Sequence, residues 1–225
     1  MSRFCRYAFL VCALCLLAAC GADEYHYPSV KMEFLTARSG ADGSLRSVTT
    51  DAGETYAVLT DASGLHITPD SLVRIVSNYA VEQTSDGGQG AVLYALTQAI
   101  APLPKPADGF EGGVKTEPAD VTSIWMGHDY LNLVLAVKQQ GKHALGFVED
   151  EVTDDGEGGR TVRLTFYHDV SSDVQDYTKR AYVSVPLWHY AAPGVNRVKL
   201  FFSLQTQKEG MKTYAFEYVP EAGAE

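Results

Sequence analysis

Cysteine is almost absent from this chain once its first residues are set aside. Of four cysteines, Cys5, Cys12 and Cys15 lie within residues 1–19, which leaves only Cys20. The remainder has no disulfide to staple it and no thiolate nucleophile of its own, so its stability must come from packing. Long apolar runs are also missing: the longest, AFLVCALCLLA at residues 8–18, falls short of the ~20 residues that span a bilayer as a helix. Positive charge is scarce, with 18 Lys and Arg against 28 Asp and Glu. A surface that acidic repels phosphate backbones, which argues against nucleic acid as a partner. There is no H-x-H or H-x-x-x-H pair, no G-x-S-x-G elbow, no P-loop, no heptad pattern and no internal repeat.

What is present at the N-terminus is a complete export signal. Arg3 and Arg6 precede the apolar run, and Leu17-Ala18-Ala19-Cys20 then places small residues before a cysteine. That is the pattern of a lipobox: the small side chains admit the peptidase, and the sulfur takes the diacylglyceryl group. The other reading is an ordinary signal peptide with a chance cysteine. Lipidation at Cys20 predicts a mature chain of 206 residues with a net charge of −12. It would be attached to the membrane through that lipid anchor, with residues 20–26 as a tether. Gly21 is not the acidic residue expected of inner-membrane retention. Asp23-Glu24 resembles the acidic signals that send such lipoproteins to the cell surface. The expected location is the outer membrane, facing the cell surface, with the periplasmic face as the other orientation.

From Tyr27 onward the pattern is all-β: short alternating runs divided by Gly- and Asp-rich turns. Val30, Met32 and Phe34 share one face of a first strand, followed by strands at 45–50, 55–59 and 72–81. A fifth is expected at 91–97, although its alanines leave a short helix open. Five such strands suit a small OB-like barrel over residues 27–106. That domain is expected to end in Ala101-Pro102-Leu103-Pro104-Lys105-Pro106, an extended proline-rich linker, with a Pro-rich recognition ligand as the sharper alternative. Residues 107–225 carry about seven alternating strands, the count of an antiparallel β-sandwich. Among them, Leu131, Leu133, Leu135 and Val137 form one inward row, and Val198, Leu200, Phe202 and Leu204 another. Pro186 suggests an edge strand or a bulge.

Together several segments resemble a known family. They are the lipobox at Cys20, Tyr27-Pro28-Ser29-Val30-Lys31, Gly40-Ala41-Asp42-Gly43-Ser44-Leu45, Arg74-Ile75-Val76-Ser77-Asn78-Tyr79 and the proline run. The second half adds Ser123-Ile124-Trp125-Met126-Gly127, Asp129-Tyr130-Leu131-Asn132 and Tyr177-Thr178-Lys179-Arg180-Ala181-Tyr182. The chain is similar to the NigD-like lipoproteins of Bacteroidetes over nearly its whole mature length. The resemblance implies an OB-type barrel followed by a β-sandwich. It brings no catalytic motif, and only Cys20 inherits a chemical role.

Candidate sites are few. His128-Asp129 and His168-Asp169 are the only His-Asp dipeptides among His26, His66, His128, His143, His168 and His189. They could bind metal or move protons, but solvated strand ends are the expectation. The acidic loop from Asp154 to Glu157 could gather oxygens for calcium or simply form the tip of a hairpin loop. Tyr56, Tyr79 and Tyr94 could stack on a glycan. Trp125 and Trp188-His189-Tyr190 invite the same idea, and core is the expected place for all of them. No catalytic, cofactor-binding or metal-ligating residue is assigned. The expectation is a non-enzymatic binding or accessory protein with a protein or glycan partner, possible bacteriocin association included. The alternative is an envelope glycan hydrolase with a dispersed carboxylate pair.

Overall fold

The computed structural model describes residues 29–220. The signal sequence, the lipobox residues Leu17, Ala18, Ala19 and Cys20, and the 20–26 tether lie outside the described residues. No helix among the described residues is long and apolar enough to cross a membrane.

Alternation of large apolar and polar side chains drives the first five strands to close on themselves. They are β1 (Lys31–Ser39), β2 (Leu45–Thr50), β3 (Thr55–Asp61), β4 (Leu72–Gln83) and β5 (Gln89–Gln98). The segment whose alanines left a helix open lies inside β5. The barrel runs β1-β2-β3-β5-β4 and closes through an antiparallel β1–β4 pairing, with β3 and β5 parallel. That arrangement is an OB-type barrel. Leu35, Ala37, Val48, Ile75, Tyr79 and Leu93 fill its interior. The connection between β3 and β4 is irregular, yet the backbone fastens it to the β1–β2 hairpin. Ile67 N–H donates to the Gly43 carbonyl at 3.0 Å, and Asp70 N–H donates to Gly40 at 3.1 Å. Gly43 sits at φ 77°, and a Cβ there would approach the Ile67 carbonyl oxygen to 2.5 Å. No side chain fits that approach.

The second unit is a two-sheet sandwich. One sheet orders β13 (Gly210–Tyr218), β12 (Arg197–Thr206), β10 (Gly159–Asp169), β9 (Ala144–Asp154) and β6 (Lys105–Pro106). The other orders β11 (Thr178–Pro186), β8 (Tyr130–Lys138) and β7 (Asp120–Gly127). The proline run therefore does more than connect: its Lys105–Pro106 end pairs in parallel with β9 and forms an edge of the larger sheet. A proline tolerates that position because an edge strand leaves some amides unpaired. Pro186 likewise closes β11, an edge strand of the smaller sheet. Leu131, Leu133, Leu135 and Val137 of β8 face Val162, Leu164, Phe166, Leu200 and Phe202 across the core.

The barrel sits on the smaller sheet, so β8 is covered on both faces. Phe34 of β1, Val76 of β4 and Ala99 leave the barrel wall to pack with Trp125, Val134 and Tyr182. Phe34 meets Trp125 and Tyr182 edge-on, at centroid distances of 5.3 and 5.8 Å. Ile100 completes the junction by bridging Val183: its N–H donates to Tyr182, and its carbonyl accepts from the Ser184 N–H, both at 2.9 Å.

Candidate functional site

The polar centre of this junction is a guanidinium. Arg74 lies on β4, pointing out of the barrel, and its side chain is 1% exposed. It donates to the Asp51 carboxylate, to Asn132 Oδ1 at 3.0 Å, to Thr36 Oγ1 at 3.0 Å and, at a longer 3.4 Å, to Ser184 Oγ. Asn132 Nδ2 closes the ring by donating to Asp51 Oδ2 at 2.7 Å, while the Ser184 hydroxyl donates to Asn132 Oδ1 at 2.7 Å. Tyr130 stacks against the guanidinium at 4.3 Å. Asp51 belongs by sequence to the β2–β3 turn, but Thr50 serves that turn instead: its Oγ1 accepts the Ala52 and Glu54 amides. The carboxylate is thereby free to reach the sandwich.

Gly127 ends β7 directly beneath this carboxylate. A Cβ there would run into the Asp51 carboxylate and stand 2.6 Å from Asn132 Nδ2. Gly127→Ala is expected to cost about 1–3 kcal/mol by forcing the network apart. Denaturant titration measures it, and an unchanged midpoint would show slack at the junction.

Beside the network opens a cleft of about 590 Å³, walled by both domains. Phe34, Trp125 and Tyr182 give it an aromatic side, Met32 stands at 55% exposure, and Lys31 and Arg180 add positive charge. Its carboxylates are already engaged. Asp51 is held by Arg74, Glu33 accepts the Tyr79 hydroxyl at 2.6 Å, and Glu54 accepts the Tyr56 hydroxyl at 3.0 Å. Burial first, then the Glu33 contact, raises the Tyr79 phenol far above its ordinary range. The cleft thus offers a mixed apolar and charged recess, with its acids used for holding its own walls.

The histidines expected at solvated strand ends divide. His128 lies in the β7–β8 turn, with Nε2 at 3.3 Å from Asp129 Oδ2. His66 and His189 are exposed, and His26 lies outside the described residues. His168 is the correction: it is 1% exposed and turns away from its sequence neighbour. Its Nε2 meets His143 Nδ1 at 2.7 Å and its Nδ1 meets the Glu117 carbonyl at 2.9 Å. His143 Nε2 in turn meets Asp173 at 2.8 Å. Asp169 instead pairs outward with Lys115 at 2.8 Å, which lowers its pKa. Burial lowers the pKa of His168. This chain of rings ties the loop after β8 to the loop after β10.

The acidic loop closes on itself. Asp155 Oδ1 accepts the Glu157 and Gly159 amides, both at 2.8 Å, and Asp154 pairs with Arg160. Among the described residues no group of three or more His, Cys, Asp or Glu side chains could hold a metal ion. Of the aromatics expected in the core, Tyr79 and Tyr190 are buried. Tyr94 and Trp188, at 38% and 46% exposure, are surface residues, because each stands on an outward position of its segment.

Comparison with known proteins agrees with this architecture. Residues 101–218 match the NigD-like C-terminal β-sandwich domain. The crystal structure of a NigD-like immunity protein from Bacteroides caccae shares 38% identity at a TM-score of 0.72, covering 88% of this chain and all of that one. This chain belongs to the NigD-like family. Two more remote structures share the fold alone. One, from Parabacteroides distasonis and called toxin-related, is 17% identical at a TM-score of 0.69, covering 86% of this chain and 95% of its own. The other, of unknown function from Bacteroides vulgatus, is 18% identical at a TM-score of 0.64, covering 86% and 93%. No curated protein matches the sequence.

Proposed function

We propose that this NigD-like protein is a lipid-anchored, non-enzymatic binding or accessory protein of the outer membrane, facing the cell surface. In this reading the interdomain cleft receives a segment of a protein partner. The observation that carries it is the cleft itself. It has the size of a ligand recess, an aromatic wall from both domains and a floor fixed by the Arg74 network. Aromatic anchors in a recess framed by charge are the usual hot spots of protein recognition. Lys31 stands eleven positions after Cys20, enough chain to reach about 36 Å when extended. A partner held there would be captured close to the membrane. The Bacteroides caccae relative is called an immunity protein, which supports a role in immunity here, and in this reading the partner is a component of a bacteriocin system.

Two experiments test the reading. Cys20→Ala is expected to release the protein from the membrane fraction; retention there would remove the anchor. Affinity capture from envelope extracts, comparing the native protein with Met32→Ser and Tyr182→Ala, is expected to lose a specific partner in the variants. Equal capture by all three would place recognition elsewhere. If the bacteriocin role holds, deleting the gene changes inhibition zones against related strains, and unchanged zones argue against it.

A further inference from the structure

On the outer face of the barrel, across the Arg74–Asp51 network from the cleft, lies a second recess of about 590 Å³ with a different chemistry. We propose that it binds a saccharide carrying a carboxylate group. Three neighbouring strands present one polar rung, Thr36 opposite Thr49 and Thr49 opposite Thr55, and a second rung sets Arg38 opposite Ser47. Strand spacing of about 4.8 Å repeats the hydroxyls at roughly the width of a sugar ring. Thr36 Oγ1 accepts from the buried Arg74, so its own proton is free to be donated into the recess. Thr49 and Thr55 share one hydrogen bond at 2.9 Å, which leaves one of their two protons to offer.

The wall of the recess comes from the sandwich. Trp188 is 46% exposed on a short 3-10 turn, Trp188–Tyr190. That turn is clamped underneath: Tyr190 donates its hydroxyl to Glu149 at 2.8 Å, and its carbonyl accepts from Arg160 at 2.9 Å. Tyr130 stands beside Trp188, backed by Arg74. An exposed indole on a turn anchored through Tyr190, at the end of a hydroxyl-bearing sheet, suits a ligand with C–H faces and hydroxyl edges together. A peptide has less to gain here, because a closed barrel presents no free strand edge for it to extend. Nucleic acid would need a run of cations along its backbone, and Arg38 is the one Lys or Arg among the described residues lining the recess. Arg38 selects the ligand's charge, since the carboxylate that also lines the recess, Asp129, already accepts the Tyr218 hydroxyl at 2.8 Å and lies 3.3 Å from His128 Nε2. Its guanidinium is exposed and makes none of the ion pairs found among the described residues, so a carboxylate on the sugar completes it.

The test uses the two tryptophans. In a Trp125→Phe protein, Trp188 is the sole indole, and its fluorescence reports on the recess. Oligogalacturonides are expected to change that emission saturably, while neutral maltooligosaccharides do so at least tenfold more weakly. Separately, in the native protein, calorimetric affinity for oligogalacturonides is expected to fall at least tenfold in Trp188→Ala and in Arg38→Ser, with unchanged melting curves. Tyr182→Ala, in the other cleft, leaves this binding intact, so loss of either site is read independently. No binding across a panel of uronic-acid glycans, equal binding of neutral sugars, or binding indifferent to Trp188→Ala overturns the proposal.

Discussion

Replacing Asp51 with alanine is expected to destabilise the protein by about 3–5 kcal/mol, because it leaves the buried guanidinium of Arg74 without its counter-charge. The guanidinium is nearly sealed from solvent: Phe34 and Tyr130 lie against it, and Asn132 and Ser184 hold it from the sandwich side. Removing both charges is a different experiment. Asp51→Ala with Arg74→Met takes away the need for compensation, and the double variant is expected to be clearly more stable than the sum of the two single losses. Denaturant unfolding of the four proteins gives the coupling, with about 0.5–3 kcal/mol expected for residues in one network. Since the network joins barrel to sandwich, Asp51→Ala is also expected to split a single calorimetric transition into two. A loss under about 1 kcal/mol, with one transition retained, would mean that the apolar contacts of Phe34 and Val76 alone hold the junction.

This network also shows where sequence reading stops. Alternation made the sandwich legible, since Leu131, Leu133, Leu135 and Val137 can share a face only in a strand. The same alternation marks Asn132 and Ser184 as solvent-facing, and both are fully buried. They are covered by a second domain, which no local pattern records. Arg74 meets Asp51 across 23 residues, Asn132 across 58 and Ser184 across 110. Asp51 was concealed further by looking like an ordinary turn former. The exposed Trp188 is the reverse case: propensity places strand-favouring aromatics in the core, but Trp188 lies outside any strand. The His168-Asp169 dipeptide misled through pleat geometry. Neighbours on a strand point to opposite faces, so His168 turns inward while Asp169 turns outward to Lys115. Its true acidic partner acts through His143, from a loop that contains no histidine of its own.

Counting hydrogens in that chain yields the second large prediction. Asp173 and the Glu117 carbonyl can only accept, so His143 Nε2 and His168 Nδ1 must each carry a hydrogen. The 2.7 Å contact between the rings needs a third. Three hydrogens on two rings make one of them an imidazolium. Burial holds the His168 pKa down. Nitrogen NMR is expected to show three slowly exchanging ring N–H groups; finding two would break the chain. His143→Leu leaves His168 Nε2 buried without a partner and is expected to cost about 2–3 kcal/mol. The pH dependence follows from the direction of each shift. With a folded pKa below its unfolded value near 6.5, His168 binds a proton more readily unfolded, so stability falls as pH drops from about 6.5 through the folded pKa. Desolvation pushes the Asp173 carboxyl upward, but the Gly141 and Gln140 amides and His143 outweigh it, and its pKa is lowered. Lys115 lowers that of Asp169. Their contribution is present above about pH 4 and disappears as pH falls further through the folded values. Melting temperature should therefore decline in two stages on acidification. His168→Leu lowers the whole curve and removes the first stage, leaving the second. A first stage that survives in His168→Leu would locate that titration at another group.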